Sequence, residues 1–111
     1  MRLPNADQAI IDPRKVRDYL LSSEHPLGRY KAHFFTRLGF AREEWQGLRD
    51  QLQSIALQEE AEVAERTDYG QKYIVRGTIV GAAGRKAKVL TAWIVLNGED
   101  APRFVTAYPE G

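Results

Sequence analysis

The chain has 111 residues, of which 43% are hydrophobic and 28% charged, with no cysteine and a formal net charge of +1. That length predicts a single domain over residues 1–111, since domains cluster at roughly 100–150 residues, and the composition excludes disordered and fibrous classes. The missing cysteine removes disulfides, thiolate nucleophiles and cysteine-ligated zinc together, and the balanced charge excludes a uniformly basic nucleic-acid binder, so any such contact must be local.

Met1-Arg2-Leu3-Pro4-Asn5-Ala6-Asp7 puts proline, asparagine and aspartate where the apolar core of a signal peptide would lie. No apolar run approaches the ~18 residues of a membrane helix. These features predict a cytoplasmic protein with no membrane contact. Ala9-Ile10-Ile11 reads as a short strand or an extended lead-in. Asp12-Pro13 then starts a first helix, with aspartate as N-cap and proline at the first helical position. Val16, Tyr19 and Leu20 form its apolar side, and Ser22-Ser23 ends it.

His25-Pro26 marks the start of a second helix, which runs from Gly28 to Leu38 and stops at Gly39, a residue suited to a left-handed C-cap. The third helix spans about Arg42 to Gln58, with Trp45, Leu48, Leu52 and Ile55 on one face. The period then changes. Ala61 to Arg66 reads as a first strand, Thr67-Asp68-Tyr69-Gly70 as a turn, and Lys72 to Val80 as a second strand. Gly81-Ala82-Ala83-Gly84 is a flexible hairpin loop before the strand Lys86 to Leu96. Asn97-Gly98 is a strong hairpin signal, and Phe104 to Tyr108 closes the sheet. The predicted fold is α+β, with N-terminal helices packed on one face of a 3–4-stranded antiparallel sheet.

Lys31 is out of place in this pattern. It falls within the stripe of Leu27, Phe34, Phe35 and Leu38, where a cation suggests either an anionic ligand or a stem snorkelling over the phenylalanines. His25, a turn upstream, is either an acid–base group or a structural histidine. In the strand Lys88 to Leu96, the set Leu90, Ala92, Ile94 and Leu96 is expected to face the helices. Val89, Thr91, Trp93 and Val95 then face away. With Phe104, Thr106 and Tyr108 on one face of the last strand, the far side of the sheet would gather Thr91, Trp93, Thr106 and Tyr108. Such a surface can stack bases and hold phosphates, or it can be cross-strand pairing that steadies a half-exposed sheet. Arg76, mid-strand, has the fork geometry that suits phosphate, or else is an arginine kept on an edge strand for solubility.

His25 and His33 are eight apart and no carboxylate completes a ligand set, so no metal is expected. No phosphate-cradling glycine loop, dinucleotide fingerprint or nucleophile elbow occurs, and no cofactor is expected either. Glu59, Glu60, Glu62 and Glu65 form an acidic stretch. Arg29, Lys31, Arg37 and Arg42 form a basic one, and Arg85, Lys86 and Lys88 a second basic cluster.

Several groups of residues resemble one bacterial family of unknown function. They are Leu3-Pro4-Asn5-Ala6, Tyr19-Leu20-Leu21, Glu24-His25-Pro26 with Gly28, Lys31, Ala32 and Phe34, Asp68-Tyr69-Gly70 with Tyr73 and Val75, Thr91-Ala92-Trp93-Ile94, and Pro102-Arg103 with Thr106 and Tyr108. Members of that family occur as small stand-alone proteins and at the C-terminal tips of large secreted bacterial toxins. The resemblance implies a toxin-like domain with a fold similar to the barnase/colicin/RelE-like group of small ribonucleases. It also implies sites of lysine, arginine, histidine, threonine or tyrosine rather than metal ligands. The motif positions are His25, Lys31, Tyr69, Tyr73, Trp93, Thr106 and Tyr108; Arg76 departs from the family, which carries an acidic residue there.

Two functions from different classes follow. The first is a metal-independent ribonuclease toxin of a toxin–antitoxin or toxin–immunity pair, with His25, Lys31, Arg76, Thr106 and Tyr108 as catalytic residues and Tyr73, Thr91 and Trp93 on the substrate. Its partners would be RNA and a small antitoxin or immunity protein. The second is a protein-interaction module without catalysis, which the near-neutral charge favours.

Overall fold

The structure is a computed structural model that describes residues 1–22, 24 and 29–110. His25, Pro26, Leu27 and Gly28, expected to open the second helix, lie outside the described residues. The architecture is α+β: three helices precede a four-stranded antiparallel sheet in the order β1-β2-β3-β4. The strands are β1 (Ala61–Arg66), β2 (Gly70–Val80), β3 (Lys86–Leu96) and β4 (Arg103–Pro109). Among the described residues no helix is long and apolar enough to cross a membrane.

The first helix begins as the sequence predicts. Asp12 caps it by accepting the Arg14 backbone N–H at 2.9 Å, with Pro13 at the first position of α1 (Pro13–Lys15). It then loosens into a π-helical stretch, Val16–Leu20, closed by the Leu21 N–H on the Val16 carbonyl at 3.0 Å. The second helix, α2 (Arg29–Arg37), ends at Gly39, whose φ of 101° lies in the left-handed region. The Phe40 N–H returns to the Phe35 carbonyl and the Gly39 N–H to Thr36, which is the paired closure that a left-handed residue at this position permits. A 3₁₀ turn, Arg42–Glu44, leads into α3 (Trp45–Gln58), which buries Leu48, Leu52, Ile55 and Ala56.

Leu20, Phe35, Leu48 and Leu52 from the helices meet Val75, Ile79, Val89, Trp93 and Phe104 from the sheet in one buried cluster. Each such side chain contributes on the order of 1.5–3 kcal/mol by leaving water. Gly77 allows α3 to approach closely, since a Cβ there would sit 2.7 Å from Ile55 Cγ1.

The face assignment of β3 is corrected here. Val89, Thr91 and Trp93 are fully buried against the helices, while Leu90, Ala92 and Ile94 point to the opposite face. Both sets are largely apolar, so alternation alone could not tell them apart. The last strand is also corrected. Trp93 pairs with Phe104 but Ala92 pairs with Thr106, so a bulge interrupts the ladder at Val105. Phe104 therefore packs edge-on against Trp93 at 5.3 Å, whereas Thr106 and Tyr108 turn to the other side of the sheet. The Asn97-Gly98 turn exists, with Gly98 at φ 82°, but residues 97–102 form the whole connection and the strands pair from Ile94 and Arg103. Ile10 makes an isolated parallel bridge to Arg103 at the β4 edge, which holds the following first helix against that strand.

Candidate functional site

Because β4 is an edge strand, a side chain from the helical layer can reach round it. Lys31 of α2 does so. Its Nζ donates to the Tyr19 hydroxyl at 2.7 Å and to Thr106 Oγ1 at 3.0 Å. The same ammonium lies 4.9 Å from the Tyr19 ring centroid and 5.8 Å from that of Tyr108. Among the described residues no carboxylate is within ion-pair range of it. The amine is thus held by two hydroxyls and two aromatic rings, with no carboxylate partner among the described residues.

Beside it opens a cleft of about 670 Å³ lined by Asp12, Arg14, Lys15, Tyr19, Lys31 and Thr106, among others. The N-cap geometry of the first helix fixes one wall. Asp12 is gripped by the Arg14 side chain and accepts its backbone N–H, which holds its carboxyl down at about 2. Its charge is therefore consumed by Arg14, and Lys15 and Lys31 leave the cleft with an excess of cation. Lys31's hydrogen bond lowers the Tyr19 phenol from its ordinary value, with the Lys31 charge and a hydrogen bond to Thr106 adding to the effect and burial opposing it. An activated phenol beside an ammonium can exchange a proton with a bound hydroxyl while the ammonium holds a phosphate.

The other sequence-predicted residues separate. Arg76 sits in register with Leu90 and, through it, with Tyr108, so it shares the face of Thr106 and Tyr108 about 10 Å across two strands. There it donates to Glu62 at 2.6 Å and to Glu110. Since β2 lies inside the sheet, the expectation of an edge-strand arginine is corrected as well. Thr91 and Trp93, expected on the substrate, are in the core at 0% exposure. Trp93 Nε1 donates to Thr91 Oγ1 at 2.8 Å, and Thr91 donates on to the Val75 carbonyl at 2.6 Å. A substrate cannot reach them without opening the core. Tyr73 pairs with Trp93 on that same helix-packed face and is half-buried. Tyr69 is exposed at the β1–β2 turn, beside the Asn97 turn. His25 lies outside the described residues.

Tyr19 is the residue that sequence reasoning missed. It reads as part of an apolar helix side, and its link to Lys31 crosses from one helix to the next. Among the described residues no group of three histidine, aspartate or glutamate side chains could hold a metal ion.

The family model for DUF6883, a domain of unknown function, matches residues 2–111. The chain belongs to that family. No curated protein matches it. Among solved structures, this DUF6883 chain is similar to one from the contact-dependent growth inhibition toxin–immunity protein complex of Klebsiella pneumoniae 342. The two share 21% sequence identity with a TM-score of 0.72, over 96% of this chain and 97% of the other. At that identity the likeness is one of fold.

Proposed function

We propose that this DUF6883 chain, as a single domain over residues 1–111, is the toxin-like member of a toxin–partner pair. In this reading it acts in the cytoplasm as a metal-independent ribonuclease centred on Lys31, Tyr19 and Thr106. The observation that carries the reading is the Lys31 ammonium held between two hydroxyls at the mouth of a cleft, with no carboxylate partner among the described residues. The resemblance to a toxin-associated family and the shared fold with a chain of a toxin–immunity complex support it.

The chemistry is transesterification within RNA. A ribose 2′-oxygen attacks the adjacent phosphorus and loses its proton to a base, the P–O5′ bond breaks, and an acid returns a proton to the 5′-oxygen. A 2′,3′-cyclic phosphate and a 5′-hydroxyl result. Lys31 stabilises the charge gathering on the phosphorane oxygens, Thr106 orients them, and Tyr19 serves as one proton-transfer group. His25 is the second proton-transfer group in this scheme, and Tyr108 lines the approach. The partner is a small antitoxin or immunity protein that covers the cationic cleft.

The test is incubation of purified chain with total cellular RNA in the presence of a chelator, followed by mapping of the ends. Discrete fragments with cyclic phosphate ends are expected, together with growth arrest on expression that Lys31→Met relieves. Intact RNA at high concentrations of folded chain overturns the reading. It would favour instead the non-catalytic interaction module, which the net charge of +1 and the carboxylates around Arg76 favour.

A further inference from the structure

A second cleft, of about 580 Å³, opens along α2 on a side next to that of Lys31. It lies between that helix and the turn joining β2 to β3, and its lining includes Tyr30, His33, Phe34, Arg37, Arg85 and Lys86. Most arginines of this chain pair with a carboxylate. Arg14 pairs with Asp12, Arg17 and Arg42 with Asp18, Arg49 with Asp50, Arg76 with Glu62 and Glu110, and Arg103 with Glu99. Arg37, Arg85 and Lys86 have no carboxylate partner among the described residues, and they converge on one cleft.

Their placement is fixed by backbone. The Ala82 N–H donates to the Leu38 carbonyl at 2.8 Å, and Arg85 Nη1 donates to the Arg37 carbonyl at 2.8 Å, so the β2–β3 turn caps the end of α2. Only one nitrogen of the Arg85 guanidinium is used in that cap. Two aromatic rings stand beside the cations. Tyr30 is 73% exposed with the Arg29 guanidinium 5.0 Å from its centroid, and Phe34 is held edge-on by Phe35.

Cations that bind phosphates beside rings that stack bases are the two components of a single-strand nucleic-acid platform. An acidic protein surface would also engage these cations; the reading that RNA is the substrate favours a nucleic-acid strand here. We propose that this cleft is a second RNA-binding subsite, in which Arg37, Arg85 and Lys86 take backbone phosphates and Tyr30 stacks a base. It rests on the reading that RNA is the substrate. Lys31 and Arg37 are six residues apart, about 9 Å along the helix axis and roughly 120° around it, so a strand seated at Lys31 would have to pass round α2 to enter the cleft.

The experiment measures binding of a short 2′-O-methyl oligonucleotide, which cannot be cleaved, to the full chain by fluorescence anisotropy across a salt series. Arg37→Gln with Lys86→Gln should weaken binding roughly tenfold and reduce the slope of log affinity against log salt by about 1.4, at about 0.7 per cation lost. Tyr30→Ala should weaken it at least about fivefold with the slope unchanged. Melting curves confirm that each variant is folded; the substituted side chains make no ion pair to lose. An unchanged slope in the double variant of a chain that still cleaves RNA overturns the subsite and leaves the Lys31 reading standing. A reduced slope in a chain that never cleaves supports the subsite and overturns the cleavage reading. No oligonucleotide binding overturns both. Loss of affinity for polyglutamate but not for RNA makes the occupant an acidic protein, and the subsite is overturned.

Discussion

Lys31 and Arg76 are two cations that reach the same side of the sheet, and the sequence marks both as phosphate binders. Their surroundings differ in one respect. Arg76 lies between Glu62 and Glu110, so the three groups together carry one net negative charge and two of its five guanidinium N–H donors are engaged by carboxylates. Lys31 lies between two hydroxyls, and among the described residues no carboxylate pairs with it. A phosphate arriving at Arg76 meets the repulsion of two carboxylates already paired with it. Among the described residues, a phosphate arriving at Lys31 displaces no carboxylate. The residue type is therefore a poor guide to a site, and the charge balance of its neighbours a better one.

The widest separation expected is in catalysis. Lys31→Met should lower the single-turnover rate of RNA cleavage by about 10²–10³, the usual cost of removing one group that stabilises transition-state charge. Arg76→Met should stay within about threefold, because its removal takes away no free cation. Equal losses in the two variants would break the distinction and return Arg76 to the site.

Much of the fold was readable because punctuation and period agree. The Asp12-Pro13 start, the Gly39 stop and the alternation from Lys86 onwards each express a local physical demand. The side of the sheet was not readable. Leu90, Ala92 and Ile94 are as apolar as Val89, Thr91 and Trp93, and only the helix packing decides which set is covered. The bulge at Val105 adds a one-residue slip that moves Thr106 and Tyr108 away from Trp93, and no residue at that point announces it. Lys31 stood out because it interrupts an apolar stripe. Tyr19 did not, because a tyrosine on an apolar face is ordinary and its hydroxyl finds Lys31 only after the two helices meet.

The two threonines sharpen the comparison further, since each hydroxyl is satisfied in a different way. Thr91 closes a buried chain from Trp93 to Val75, so Thr91→Val strands the indole N–H and should cost about 1–3 kcal/mol in urea unfolding. Thr106 meets Lys31 at the edge, so Thr106→Val should cost under about 1 kcal/mol of stability but roughly tenfold in cleavage rate. A Thr106 variant that unfolds easily while cleaving normally would make that hydroxyl structural and remove it from the site.

The smallest effect is spectroscopic. The Lys31 hydrogen bond lowers the Tyr19 phenol, so the phenolate is favoured in the folded chain relative to the unfolded one. The sign follows from that direction. Below the folded value the phenol is protonated in both states and contributes nothing to stability. The contribution grows as pH climbs from the folded value toward the unfolded value near 10, and it disappears as pH falls back through the folded value. Phenolate absorbance should therefore show a step below the ordinary phenol range, and Tyr19→Phe should delete that step. Lys31→Met should move the step upward, whereas Arg76→Met should leave it in place, because no Arg76 contact touches the phenol. A step that ignores Lys31→Met would mean the ammonium does not activate Tyr19, and the proton-transfer role would pass to another group.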